Sequence, residues 1–149
     1  MNATFLHRRP VRFRETDMAG LVHFTAVLGL VEEAWHEWLA AAGIAAHPSV
    51  AADGAEAVGW PVVSISADYR NSLRFGRDAE VRLELTRVGN SSLTLAFHVA
   101  HPGQSGASGA VTFVCAAPAT DGTWHARPLP DNAIAGLTTT ATERTVGPE

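Results

Sequence analysis

The chain changes its hydrophobic period once, and that change limits the folds open to it. From Phe24, apolar residues return at three- and four-residue steps as Val27, Val31, Ala34, Trp38 and Ala42, and Leu28, Trp35 and Leu39 widen the stripe. This spacing predicts one long helix over residues 24–42, apolar around much of its circumference. Gly43 is the expected cap, because a left-handed residue there costs glycine little. Glu33, His36 and Glu37 fall opposite the stripe and Glu32 lies nearer to it; both Glu32 and Glu33 read as solvated.

Residues 45–59, rich in Ala, Gly and small polar side chains, read as a loop, and after them the period becomes two. Val63, Ile65, Ala67 and Tyr69 alternate with polar neighbours, as do Val81, Leu83 and Leu85. Leu93, Leu95, Phe97 and Val99 follow, then Val111, Phe113 and Cys115. These are four half-buried strands. Gly89-Asn90 between two of them is a two-residue hairpin signal. Residues 5–13 read as a first strand, with Pro10 marking an edge or a bulge. A strand, a long helix and then strands in series make the class α+β, not a doubly wound parallel sheet.

At 149 residues one domain is expected, over residues 1–137. Residues 138–149 lack any apolar period and read as a disordered tail. The formal net charge is -4, and all 11 basic residues are scattered arginines. That excludes a large nucleic-acid footprint, while a few arginines at one cleft would still suit phosphates. A single cysteine, Cys115, permits no internal disulfide and fits a cytoplasmic location. Residues 1–10 carry no secretory pattern, and Glu32, Glu33, His36 and Glu37 interrupt the longest apolar region, so no membrane span is expected.

The segment richest in chemistry is Thr16-Asp17-Met18-Ala19-Gly20-Leu21-Val22-His23-Phe24. Asp17 is placed in a turn just before the helix, whose first N–H groups are unpaired and whose end is electropositive. Such an end can hold an oxyanion, and Gly20 lets the backbone pass close to a substrate. A carboxylate beside an oxyanion site is a minimal acyl-transfer centre. On spacing alone, Asp17 as a simple cap of the turn or helix is the more ordinary reading.

These residues resemble the 4-hydroxybenzoyl-CoA thioesterase branch of the hotdog superfamily. The resemblance extends through Gly59-Trp60-Pro61-Val62-Val63, Asp68-Tyr69, Phe75-Gly76-Arg77-Asp78 and Gly89-Asn90-Ser91-Ser92, covering about residues 11–115. It implies a hotdog fold: a curved antiparallel sheet of about five strands wrapped around the one long helix. It implies an acyl-CoA thioesterase in which Asp17 attacks the thioester carbonyl or activates water, and the Phe24 N–H holds the oxyanion. It also implies homodimers or homotetramers with active sites at the subunit interface. No metal or redox cofactor is implied; CoA is part of the substrate. Many members carry Asn and Tyr where this chain has Ala26 and Val27, so a more apolar acyl pocket is expected.

His23 reads equally as a group polarising the carbonyl or orienting Asp17, and as a residue packed between strand and helix. Arg70, Arg74 and Arg77 are candidate ligands for the CoA phosphates, with a solvated hairpin end as the plain alternative. Trp60 is a candidate wall of the acyl pocket, with core packing equally open. Cys115 shares a face with Val111 and Phe113 and reads as core. His98 and His101, an odd number apart, make no metal pair on a strand. The rival functions are a hotdog enoyl-CoA hydratase or dehydratase, and a non-catalytic acyl-binding domain. CoA or an acyl carrier protein as thiol, and an aromatic or aliphatic acyl group, both stay open.

Overall fold

The computed structural model describes residues 3–48, 57–141 and 143–145, the last three as backbone only. The alternating runs form β1 (Thr4–Pro10), β2 (Val62–Tyr69), β3 (Asp78–Val88), β4 (Ser92–Ala100) and β5 (Ala107–Val114). The long apolar stripe forms α1 (Phe24–Ala41). Beyond these lie β6 (Ala116–Pro118), β7 (Trp124–Ala126), α2 (Ala133–Thr139) and β8 (Glu143–Thr145). The main sheet has the order β2-β5-β4-β3-β1-β8. Its first five strands are antiparallel, and β8 adds parallel to β1. This is the hotdog architecture.

Period two explains how the sheet meets the helix. Val81, Leu83 and Leu85 of β3, and Leu93, Leu95, Phe97 and Val99 of β4, are all buried on one face. Leu30, Val31, Ala34, Trp35, Trp38 and Leu39 of α1 lie in the same core. Each such aliphatic side chain withdrawn from water stabilises the fold by about 1.5–3 kcal/mol. An aromatic column stiffens the contact. Trp35 stacks on Phe113 at 4.8 Å and meets Trp60 edge-on at 5.7 Å, and Trp38 stacks on Phe5 at 5.6 Å. α1 ends as expected. Gly43 takes φ 73, its N–H bonds the Ala40 carbonyl, and the Ile44 N–H reaches back to the Leu39 carbonyl.

Several expectations change. β1 stops at Pro10, and residues Phe13–Glu15 form a 3-10 turn instead of continuing the strand. β2 is not half-buried: seven of its eight residues are exposed, because it is the sheet's free edge. The β3–β4 hairpin turns one residue later than Gly89-Asn90. The Gly89 N–H bonds the Ser92 carbonyl, and neither of the central residues, Asn90 and Ser91, has positive φ, so this is not a type I′ turn. α2 runs past Thr138, and β8 lies within the expected tail. Much of the expected loop at residues 45–59 lies outside the described residues. No described helix is long and apolar enough to cross a membrane.

Candidate active site

Asp17 opens a tight loop in front of α1. Its N–H donates to the Leu21 carbonyl at 2.8 Å, and its carbonyl accepts from the Gly20 N–H at 3.0 Å. Its Oδ1 accepts the N–H groups of Ala19 at 2.8 Å and Leu21 at 3.1 Å. The side chain is exposed, and among the described residues Oδ2 carries no hydrogen bond. Gly20 turns the loop at φ 76, a conformation that a side chain would strain. The loop is then fastened on both sides. Thr16 and Val22 form an antiparallel bridge, the Val22 N–H bonds the Leu73 carbonyl at 2.9 Å, and the Phe75 N–H bonds the Gly20 carbonyl at 3.1 Å.

The helix begins without a side-chain cap. His23 is the N-cap, exposed, and its ring makes no capping bond. It is therefore not packed between strand and helix, and among the described residues it makes no bond to Asp17. Backbone N–H groups orient the carboxylate instead. The His23 carbonyl accepts from Ala26 and Val27. The N–H groups of Phe24 and Thr25 meet no acceptor among the described residues. Two free donors at an electropositive helix end suit an oxyanion.

Arg70, Arg74 and Arg77 come together. They line a cleft of about 460 Å³ with Leu21, His101 and Gln104. A second cavity, of about 200 Å³, lies against the helix tip between Phe24, Val27 and Tyr69, and shares Arg70, Asn71 and Ser72 with the first. Asp17 lines neither. Trp60 lines neither as well; it is buried in the aromatic column, with its Nε1 donating to the Ala45 carbonyl at 3.2 Å.

Two residues to which the sequence reading gave no role at the site hold this corner together. The Tyr69 hydroxyl donates to the Phe24 carbonyl at 3.2 Å, and the two rings meet edge to face. His101 is buried. It binds the Asp78 carbonyl through Nδ1 at 2.6 Å and accepts the Arg74 N–H on Nε2 at 3.0 Å, which assigns it the Nδ1–H tautomer. Glu33 is a further correction. It is half-buried and paired, not simply solvated: His7 donates to it at 2.9 Å and Arg9 at 2.6 Å. Burial would push its carboxyl up, but the hydrogen bonds from His7 and Arg9 and the Arg9 charge hold it at about 2. Glu32 is exposed, as expected. The described residues include no cluster of three His, Cys, Asp or Glu side chains placed to hold a metal.

Residues 11–134 match the family model described as the thioesterase-like superfamily. The chain belongs to the thioesterase-like superfamily. Among curated relatives, a 1,4-dihydroxy-2-naphthoyl-CoA hydrolase of Synechococcus sp. (strain CC9605) is 35% identical over 108 residues, 71% of this chain and 72% of the relative. The 1,4-dihydroxy-2-naphthoyl-CoA thioesterase from Synechocystis superposes with a TM-score of 0.75 at 24% identity, covering 90% of this chain and 95% of its own. The Dynemicin thioesterase superposes with a TM-score of 0.76 at 24% identity, covering 97% and 99%. At that identity these two structures speak to the thioesterase-like fold alone. The matched span includes Asp17, the whole of α1 and all five antiparallel strands but the first.

Proposed function

We propose that the protein hydrolyses an acyl-CoA thioester to the free acid and the CoA thiol, with Asp17 as the reacting carboxylate. One observation carries this reading. Asp17 is held by the Ala19 and Leu21 N–H groups in a loop tied through Glu15 to the helix N-cap, His23, and the first two N–H groups of that helix meet no acceptor among the described residues. In the leading scheme, Asp17 Oδ2 attacks the thioester carbon. The carbonyl electron pair moves to oxygen, where the Phe24 and Thr25 N–H groups receive it. Collapse expels the thiolate, which takes a proton from water, and leaves a mixed anhydride on Asp17. Water then cleaves the anhydride, releasing the acid and restoring the carboxylate. In the second scheme Asp17 takes a proton from the attacking water.

The reaction calls for no cofactor beyond the CoA in the substrate, and we place it in the cytoplasm. The arginine cleft beside the helix tip would take the CoA phosphates, since guanidinium forks suit them. The smaller cavity at Phe24 and Val27 would take the portion of the substrate next to the thioester. Because Asp17 is exposed and, among the described residues, lines neither of the two cavities at the helix tip, a second copy is proposed to complete its site. β2 supplies the motive: it is an unpaired edge, with Val62 50%, Val63 60% and Ile65 44% exposed.

Thiol release across a panel of acyl-CoAs tests the reading. Free thiol at a rate well above background supports it. Hydration of an enoyl-CoA without thiol would favour the hydratase, and thermal stabilisation by acyl-CoA without turnover would favour a binding domain.

A further inference from the structure

We propose that Arg9 is a positioning residue for this hydrolysis, a single buried guanidinium that fixes the Asp17 loop relative to the tip of α1. The inference rests on the reading of Asp17 and the Phe24 N–H given above.

The inward face of β1 runs Phe5, His7, Arg9, so the strand turns from apolar to charged as it nears the site. Arg9 is only 5% exposed, and its fork reaches in two directions. Nε donates to Glu33 Oε2 at 2.6 Å, on α1 about two and a half turns below Phe24. Nη1 and Nη2 both bind the Glu15 carboxylate, and Nη1 also binds the Pro10 carbonyl at 2.8 Å. Glu15 then spreads the constraint. Its Oε2 accepts the Arg12 N–H at 2.8 Å, and its main-chain carbonyl accepts the His23 N–H at 2.9 Å. Asp17 lies two residues beyond Glu15, and Phe24 lies one beyond His23. The carboxylate arm and the oxyanion arm therefore meet at one residue, Glu15, whose carboxylate Arg9 holds.

Stability alone gives a poor reason for this arrangement. Burying ions is costly, and a packed apolar residue of similar volume often serves a fold as well or better. What an apolar residue lacks is direction. A bidentate fork sets the orientation of Glu15, and through it the loop that follows. Catalytic rates respond steeply to such placement, since a shift of about 1 Å can cost on the order of a hundredfold.

The test uses the full chain and its best acyl-CoA, and compares Arg9→Lys, Glu15→Gln and Asp17→Asn by steady-state thiol release and thermal melting. Arg9→Lys keeps the charge and Glu15→Gln keeps the shape, so both leave a foldable chain. For each, kcat is expected to fall by roughly tenfold or more with KM within about twofold of the parent, the signature of lost transition-state placement. Arg9→Met is expected to lose more than Arg9→Lys. If Arg9→Lys and Glu15→Gln melt earlier but keep kcat within about twofold, beside an inactive Asp17→Asn, Arg9 serves stability only and the proposal falls. If Asp17→Asn itself stays active, the reading of the site falls and takes this proposal with it.

Discussion

The Tyr69 hydroxyl donates to the carbonyl of Phe24, the first residue of α1, from the last residue of the free edge strand β2. The bond ties the sheet edge to the donor end of the helix. Tyr69→Phe keeps the ring contact and removes the bond. Because the bond is exposed, the loss in stability should sit near the low end for a hydrogen bond, about 0.5 kcal/mol. In a chain of this size that is a melting shift of about 1–2 °C. A few-fold fall in kcat is expected beside it; unchanged kinetics would show that the tie does not hold the helix tip.

Glu33 gives the fold a defined acid sensitivity. Its carboxyl is held at about 2, below an ordinary 4.5, and Glu15 is also held low. For Glu15, burial pushes up, while hydrogen bonds from Arg9 and the Arg12 N–H and the Arg9 charge outweigh it. A carboxyl with a depressed folded pKa favours the fold fully above its ordinary value and loses that contribution as pH falls. Denaturant melts should therefore weaken from about pH 4.5 down towards 2. Glu33→Gln should be less stable at neutral pH and flatter across that window. An unchanged acid slope in this variant would contradict the network.

The exposed edge predicts self-association. Ile65→Glu places a charge on β2 and should move the protein from dimer or tetramer to monomer in light scattering at micromolar concentration. Thiol release should fall by at least roughly tenfold in the monomer, about 1.4 kcal/mol of lost transition-state stabilisation. Full activity in a monomer would mean that Asp17 needs no second copy.

The arginine cleft predicts salt dependence. Single Arg70→Ala, Arg74→Ala and Arg77→Ala changes should each raise KM for acyl-CoA by about threefold to tenfold, or roughly 0.7–1.4 kcal/mol. The effect should shrink as salt screens the exposed charges. An acyl-pantetheine, which lacks the phosphates of the nucleotide end, should be indifferent to all three. Equal losses on both substrates would move the arginines out of phosphate binding.

Most of the fold was legible because period is a local property. Residues 24–42 announce a helix, and the strands announce themselves by alternation, whatever surrounds them. Position relative to water is less local. Glu33 lies opposite the apolar stripe, but Arg9 and His7 of β1 cover that face, and nothing near residue 33 in the sequence says so. β2 alternates like its neighbours, yet it is exposed because only its place at the sheet edge decides its burial. Tyr69 and His101 escaped for the same reason: their partners, Phe24 and Asp78, lie 45 and 23 residues away. One signal was readable and passed over. Asp121-Gly122 is a hairpin dipeptide, and it turns β6 into β7 with Gly122 at φ 85. Asp17 stood out because the run from Thr16 to Phe24 resembles a known family pattern; on spacing alone a capping aspartate would look identical in sequence.

The decisive measurement is steady-state thiol release by Asp17→Asn, checked for native circular dichroism. Asparagine keeps an oxygen for the Ala19 and Leu21 N–H groups and removes the charge that reacts. The account predicts a folded protein whose kcat/KM falls by well over tenfold, more than about 1.4 kcal/mol. A folded Asp17→Asn within tenfold of the parent would contradict it.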